Sequence, residues 1–307
     1  MSGDGLLQRV EARGLIAGPA PVLVMLSGGR DSVCMLDLAV RARGAGEVKA
    51  LHVNYGLREE ADGDERHCAE LCDRVGVGLA VEHPKRPEGS GNLQAWAREE
   101  RYAAAARLAG EAGSTIVTGH TADDQVETIL YRLASSPSRR ALLGMRPRDG
   151  HLARPLLATT REETTAYCEE RGLPWCDDAS NEEADYKRNL LRRGLIPELA
   201  RIHPAAKENV LRTATLLREE AELLDSLVDA ELEGGDSISR DRFAELHPAL
   251  RRLVLQRLAD QAAGRPVAGA ARFAEQVASL HRGGSALDLG AGVRAVLEGG
   301  VLRAEQG

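Results

Sequence analysis

Residues 22–32 read Val22-Leu23-Val24-Met25-Leu26-Ser27-Gly28-Gly29-Arg30-Asp31-Ser32. Five consecutive apolar residues fit a strand buried on both faces of a parallel sheet, and the abrupt change to small and polar residues marks its C-terminal end. Gly28 and Gly29 lack a Cβ, so the backbone there can approach an anion closely, while Ser27 and Ser32 bring hydroxyls. From Asp31 onward Val33, Met35, Leu36 and Leu38 give a helical pattern. The loop therefore feeds a helix whose free N–H groups and positive dipole end suit a phosphate. The same residues would also serve an ordinary strand-to-helix turn. Neither the Gly-Lys-Ser/Thr ending of a Walker A loop nor the dinucleotide Gly-x-Gly-x-x-Gly occurs here.

Outward from this stretch the chain alternates strand and helix patterns. Residues 47–53 alternate apolar with polar as a second strand, and Ala61, Glu65, Cys68, Leu71, Cys72 and Val75 share one face of a helix over 61–75. A third strand over 78–82 leads to a Pro/Gly-containing loop and a helix over 92–111 with Asn92 as N-cap. Arg98 and Arg101 lie three apart in that helix, either reaching a common anion or pairing with Glu99 and Glu100 on a solvated face. A strand over 114–118 then delivers Gly119, His120, Asp123, Asp124 and Glu127. Parallel sheets bind ligands beyond the carboxyl ends of their strands, which is where Gly119 and His120 fall. Asp124 and Glu127, three apart on the next helix, can present two carboxylates to one ammonium group or Mg²⁺. Asp123 and Asp124 would equally complement the helix N-terminus. A further helix is expected over 159–172. The fold class read from this succession is α/β with a parallel sheet.

The length of 307 residues fits about two domains. We place them at 1–204 and 205–307, because beyond His203-Pro204 the pattern becomes helical: Val210, Leu211, Ala214, Leu217, Ala221, Leu224 and Leu227 are expected to face one way. Helices over 247–263 and 269–282 and a short terminal hairpin over 286–303 complete a smaller, mainly helical C-terminal domain. No signal-peptide core and no apolar run of membrane-spanning length occurs, so a cytoplasmic protein without a membrane partner is expected. The five cysteines are scattered, which disfavours a disulfide framework. Cys68 and Cys72 sit one helical turn apart beside His67, but no second pair completes a metal site. The net charge of −7 disfavours a nucleic-acid partner in bulk, yet screening makes local patches decisive. Lys187, Arg188, Arg192 and Arg193 form the densest basic cluster, readable as a solvated face or as RNA phosphate contacts. Arg139, Arg140, Arg146 and Arg148 form a second patch, expected in a loop.

The Ser-Gly-Gly-x-Asp-Ser spelling after a buried strand resembles the PP-loop of the ATP pyrophosphatase superfamily, whose members split ATP into AMP and pyrophosphate. Further motifs occur in order: His52-Val-Asn-Tyr-Gly-Leu-Arg58, Ala97-Arg98-Glu-Glu-Arg101-Tyr102, Gly119-His120-x-x-Asp123-Asp124-x-x-Glu127-Thr128, Arg154-Pro155-Leu156-Leu157, Asp178-x-Ser180-Asn181 and Tyr186-x-Arg188-Asn189. Together they resemble the bacterial tRNA(Ile)-lysidine synthetase family over roughly residues 20–205. The resemblance implies a PP-loop ATP-binding catalytic domain followed by a domain that helps hold tRNA. It implies ATP and Mg²⁺ as cofactors, and free L-lysine and the isoleucine tRNA with a CAU anticodon as partners. It implies that the wobble cytidine is adenylated at O2 and then attacked at C2 by the lysine ε-amino group. By the same resemblance Ser27, Gly28, Gly29, Arg30, Asp31, Ser32 and His52 would bind ATP, with Asp31 also holding Mg²⁺. Arg101 would neutralise phosphates, Asp124 and Glu127 would orient the lysine ammonium, and His120 would lie nearby. Tyr55 departs from the family, which usually has a second His there. Superfamily members that thiolate tRNA carry Cys-x-x-Cys pairs for an iron–sulfur cluster, and this chain has none. Two other readings stand beside this one: a different PP-loop ATP-dependent tRNA-modifying or amide-forming enzyme, and a non-catalytic ATP-binding sensor.

Overall fold

β1 (Val22–Met25) is buried along its whole length because it has parallel neighbours on both sides, β2 (Val48–Val53) and β4 (Thr115–Val117). In the computed structural model, which describes residues 3–57, 61–87, 91–135, 139–176, 186–280 and 284–307 apart from the side chains of Tyr186 and Arg188, the first sheet has the order β3-β2-β1-β4-β6-β5. β3 (Gly78–Glu82) pairs in parallel with β2, and β6 (Leu152–Ala153) in parallel with β4. Only β5 (Arg148–Asp149) runs antiparallel, against β6. The chain builds outward from β1 through β2 to β3, then returns to the other side of β1 with β4. The carboxyl ends of β1 and β4 thus flank the point where strand order reverses, the position at which open α/β sheets leave a ligand crevice.

Helices cover the sheet in the order α1 (Gly3–Ala12), α2 (Arg30–Arg43), α3 (Ala61–Val75), α4 (Leu93–Ala112), α5 (Ala122–Ser135), α6 (Arg139–Leu142) and α7 (Arg161–Glu170). Apolar residues from α1, β1, α2, α3 and α7 form one core around Val24, Leu26, Met35, Leu38, Cys68 and Tyr167. A second cluster fills the opposite face of the sheet, where Leu23, Met25 and Leu51 meet Ala105 and Ala109 of α4. The alanines leave room for close helix–sheet approach. α4 starts where expected, with Asn92 Oδ1 accepting from the N–H groups of Gln94 and Ala95. α3 and β3 have the bounds read from the sequence. All four thiols of Cys34, Cys68, Cys72 and Cys168 are buried and free.

Beyond α7 come α8 (Tyr186–Leu190), a single π-helical stretch (Leu191–Leu195), α9 (Ile196–Ile202) and the long α10 (Ala206–Leu232). The chain divides into two compact units, residues 1–214 and 215–307, so the division falls inside α10. The second unit contains β7 (Ser237–Ser239), α11 (Arg240–Glu245), α12 (Pro248–Ala263), α13 (Ala274–Ala278), β8 (Ser285–Gly290), β9 (Val293–Glu298) and β10 (Val301–Gln306). Phe243, Leu255, Leu258, Leu289 and Leu297 lie at the centre of its core.

Several details differ from the sequence reading. The terminal hairpin is part of a four-stranded antiparallel sheet, β7-β10-β9-β8, because Ser237–Ser239 returns to pair with Val301–Arg303. On α10, Ala214, Ala221 and Val228 are buried at seven-residue spacing, whereas Leu227 is 46% exposed. The buried line follows the small and β-branched positions, and Leu227 stands one residue, or about 100°, off it. Arg139 and Arg140 begin α6 rather than lying in a loop, and Arg148 sits on β5 with its guanidinium donating to the Leu15 carbonyl. Among the described residues no helix is long and apolar enough to cross a membrane.

Candidate active site

The loop after β1 is braced from within. Ser32 Oγ donates to the Gly29 carbonyl at 2.7 Å and accepts from the Ser27 N–H at 3.2 Å, and the Ser27 and Ser32 hydroxyls are 3.1 Å apart. Gly29 is the N-cap of α2, with the N–H groups of Ser32 and Val33 both returning to its carbonyl. Gly28 has φ +84°, in the left-handed region that glycine adopts without penalty, and a Cβ there would lie 3.3 Å from Cys68 Sγ. On its other side the Cys176 N–H donates to the Gly28 carbonyl at 2.9 Å. His52, buried at the end of β2, has Nδ1 3.0 Å from the Leu26 carbonyl. That carbonyl can only accept, so Nδ1 carries the proton.

The end of β4 meets this loop backbone to backbone. A Cβ on Gly119 would stand 2.6 Å from the Asp31 carbonyl oxygen and 2.9 Å from the Ser32 nitrogen. Only a residue without a side chain lets the end of β4 come this close to the first turn of α2. α5 then begins at Ala122, and its first turns carry the three carboxylates of Asp123, Asp124 and Glu127.

Arg161, the first residue of α7, joins these carboxylates to the β1 loop. Its Nη2 lies 2.5 Å from Asp124 Oδ1, its Nη1 3.0 Å from Glu127 Oε1, and its Nε 3.9 Å from Asp31 Oδ2. Its backbone N–H donates to Asp123 Oδ2 at 2.9 Å. One turn later Thr164, fully buried, donates its hydroxyl to Asp31 Oδ1 at 2.5 Å. α7 is aimed by a capping box: Thr160 Oγ1 accepts from the Glu163 N–H while Glu163 accepts from the Thr160 N–H. Arg9 of α1 holds the same Glu163 carboxylate at 2.8 Å.

Two further cations complete the cluster. Arg192 forms a two-pronged pair with Glu127, Nε to Oε1 at 2.8 Å and Nη2 to Oε2 at 3.2 Å. Lys207 Nζ lies 2.6 Å from Asp123 Oδ1. Burial pushes the Asp124 carboxyl up, but the Arg161 guanidinium, the Thr121 N–H and hydroxyl and the nearby His120 outweigh it and hold it below the usual range. Burial, with lesser repulsion from Arg154, Arg101 and Arg98, drops His120 to about 4 against the opposing pull of Asp124. At neutral pH the ring is therefore uncharged and leaves the field of the carboxylate pair intact. Its Nδ1 lies 2.6 Å from the Thr118 hydroxyl.

The structure thus brings Asp31, Asp124 and Glu127 together through Arg161, with His120 beside Asp124. Arg101 lies near enough to His120 to be felt electrostatically, and its guanidinium, like that of Arg98, packs over the Tyr102 ring. Arg30 pairs with Asp31 at 3.2 Å. Tyr55, at the position where the resembling family has a second His, donates to the Ala97 carbonyl at 2.6 Å and meets Trp96 edge to face, tying the β2 loop to α4. Of the basic cluster, Lys187 is exposed, Arg192 is on Glu127, and the side chain of Arg188 lies outside the described residues, as do Arg58 and the motif residues Asp178, Ser180 and Asn181. Arg161, Thr164 and Lys207 were missed by the sequence reading. A signal for Arg161 existed: Thr160-x-x-Glu163 is a capping box, which places Arg161 at a helix start.

A model of the PP-loop domain family matches residues 7–199. The chain is 36% identical over 279 residues to the tRNA(Ile)-lysidine synthase of Dehalococcoides mccartyi, covering 83% of this chain and 59% of that protein. It is 36% identical over 297 residues to the same-named protein of Thermus thermophilus, covering 94% of this chain and 57% of that one. The chain thus spans rather more than half the length of these relatives. In fold it is similar to the U34-tRNA thiolase NcsA from Methanococcus maripaludis, with TM-score 0.60, 18% identity, and coverage of 70% and 78%. The glycine-opened loop at a strand-order reversal, the helix capped on Gly29 and a family match across nearly all of the first unit converge, and the chain belongs to the PP-loop domain family.

Proposed function

We propose that this chain modifies an isoleucine tRNA with a CAU anticodon, converting the wobble cytidine to lysidine with ATP and free lysine. The observation that carries the reading is Arg161, which ties the phosphate-loop Asp31 to the paired carboxylates Asp124 and Glu127. Such a pair, buried and already gripping guanidinium groups, is built to take a cation. An amine held there would lie next to the nucleotide loop. The names of the lysidine synthase relatives support the choice of amine and RNA.

In the first step cytidine O2 attacks the α-phosphorus of ATP and pyrophosphate leaves. In the second the lysine ε-nitrogen bonds to C2, the C2–O2 bond breaks, and AMP departs with that oxygen. The attacking amine has a pKa of about 10.4 in water and sheds a proton before it bonds, with a carboxylate of the pair or the neutral His120 as the acceptor. The open backbone at Gly28 and Gly29 and the N-terminus of α2 bind the phosphate chain, as does Arg30. Asp124 and Glu127 orient the ammonium end of lysine, and a neutral His120 keeps that subsite negative.

Among the described residues no three His, Cys, Asp or Glu side chains gather into a metal cage. Mg²⁺ in nucleotide sites is held by one or two carboxylates together with phosphates. Asp31 fits that part, since Thr164 and Arg30 both bond its Oδ1 while its Oδ2 meets Arg161 only at 3.9 Å. The ion would neutralise charge on the leaving pyrophosphate.

The test is pyrophosphate release followed with and without an unmodified tRNA(Ile) transcript, with the digested RNA analysed by mass for lysidine. Release that requires the RNA, followed by lysine-dependent formation of the modified nucleoside, is expected. Release without RNA, or a product formed without lysine, refutes the reading.

A further inference from the structure

The two carboxylates assigned to the lysine ammonium are fully engaged by the protein's own groups, cations on three of their four oxygens. Asp124 Oδ1 holds Arg161 and its Oδ2 accepts from Thr121, while Glu127 Oε1 and Oε2 both hold Arg192. Around them, among the described residues, Asp31, Asp123, Asp124 and Glu127 are each paired with a cation of the chain, from Arg30, Arg161, Lys207 and Arg192. Adding another cation to a half-buried cluster whose carboxylates are already paired meets repulsion, whereas exchanging one cation for another does not.

Among the described residues one exchange is open. Arg161 is 20% exposed and contacts three carboxylates as well as placing its backbone on Asp123, so removing it would leave several charges unpaired. Lys207 pairs with Asp123 and not with the amine pair. Arg192 is 40% exposed and, among the described residues, pairs with Glu127 alone, while Glu127 is only 4% exposed. Arg192 also begins the second position of the π-helical stretch 191–195, a conformation found as single turns at functional sites. Lys187 and Arg193 of the same basic segment are its neighbours in sequence.

We propose that Arg192 is a placeholder for the substrate ammonium, and that RNA phosphate draws it off Glu127 so that the lysine subsite opens when RNA is bound. This rests on the lysidine reading above and adds an order of events to it: RNA first, lysine second. Because the two ligands are coupled through one side chain, RNA tightens lysine and lysine tightens RNA by the same factor.

The test is equilibrium dialysis of radiolabelled lysine against the full chain, with and without the tRNA(Ile) transcript, for the wild type, Arg192→Met and Arg192→Lys. The wild type should bind lysine about tenfold more tightly with RNA than without, a difference of roughly 1.4 kcal/mol. Arg192→Met should bind lysine without RNA about as tightly as the wild type does with it, and RNA should add little. Arg192→Lys, which keeps the charge, should restore the RNA dependence. A structural role for the arginine would instead weaken lysine binding in both variants. Arg192→Met binding lysine no better than the wild type without RNA overturns the proposal, as does RNA leaving wild-type lysine affinity unchanged. Lysine incorporation by the wild type separates the two failures: if lysidine forms but RNA does not tighten lysine, the placeholder falls alone.

Discussion

Gly119→Ala tests whether the end of β4 must touch the first turn of α2. The new methyl carbon would sit 2.6 Å from the Asp31 carbonyl oxygen and 2.7 Å from its carbon, whereas ordinary contact begins at 3.4 Å. The obstructing atoms are backbone, so no rotamer change relieves them, and one segment must retreat by about 0.8 Å. Gly119 has no positive φ, so alanine meets no conformational penalty there and the whole effect is steric. Overpacking of this kind costs about 1–3 kcal/mol. For a unit of this size that lowers the melting temperature by roughly 2–12 °C. The shift falls on the backbone of Asp31 and Ser32, and a displacement near 1 Å at a reacting site costs on the order of a hundredfold in rate. The assay pairs thermal unfolding with tRNA-dependent pyrophosphate release. Gly110→Ala is the control: it lies exposed inside α4 with nothing within 4 Å of the added carbon, and it should stabilise by about 0.5–1 kcal/mol with activity unchanged. Wild-type melting and wild-type release in Gly119→Ala would refute the reasoning.

Four other outcomes are expected. Thr164→Val removes the hydroxyl on Asp31 at nearly constant volume and should raise the KM for ATP several-fold while Thr164→Ser keeps it, a steady-state comparison that fails if both behave alike. Asp31→Ala should abolish adenylation, whereas Glu127→Gln should spare it and let adenylated tRNA accumulate, visible by labelling RNA from α-labelled ATP. Equal loss in both would contradict the division of labour. Thr160→Ala breaks the capping box that aims Arg161 and should cost about 0.5–2 kcal/mol in urea unfolding. His120 sits near 4 in the folded protein against an ordinary value near 6.5. As pH falls through that window the unfolded chain takes up the proton first, so stability declines. His120→Gln should decline less between pH 6.5 and 4 and show the same pH dependence as the wild type above 6.5, where the ring is neutral in both states.

Much of the first unit was legible because its signals are local. The apolar run at Val22–Leu26, the period of α3 and the Asn92 cap each depend on residues within one element. Asp124 and Glu127 were found the same way, from a spacing of three. Arg161 escaped because its importance is tertiary: it lies 34 residues or more from the carboxylates it joins. Arg192 was noticed as part of a charge run, but sequence gives no measure of which charge in a run turns inward. In the second unit, Ser237–Ser239 is three residues long and carries no alternation to read. It becomes a strand only by pairing with β10, far along the chain.

The contact between Thr164 and Asp31 spans 133 positions. At synthesis rates of about 5–20 residues per second, roughly 7–27 s separate the emergence of the loop from that of the helix that fixes its carboxylate. During that interval the nascent chain has its glycines and its strand but lacks the brace. A translation product that stops before α7 therefore lacks the group that fixes the Asp31 carboxylate, and the cations on Glu127 and Asp123 emerge later still.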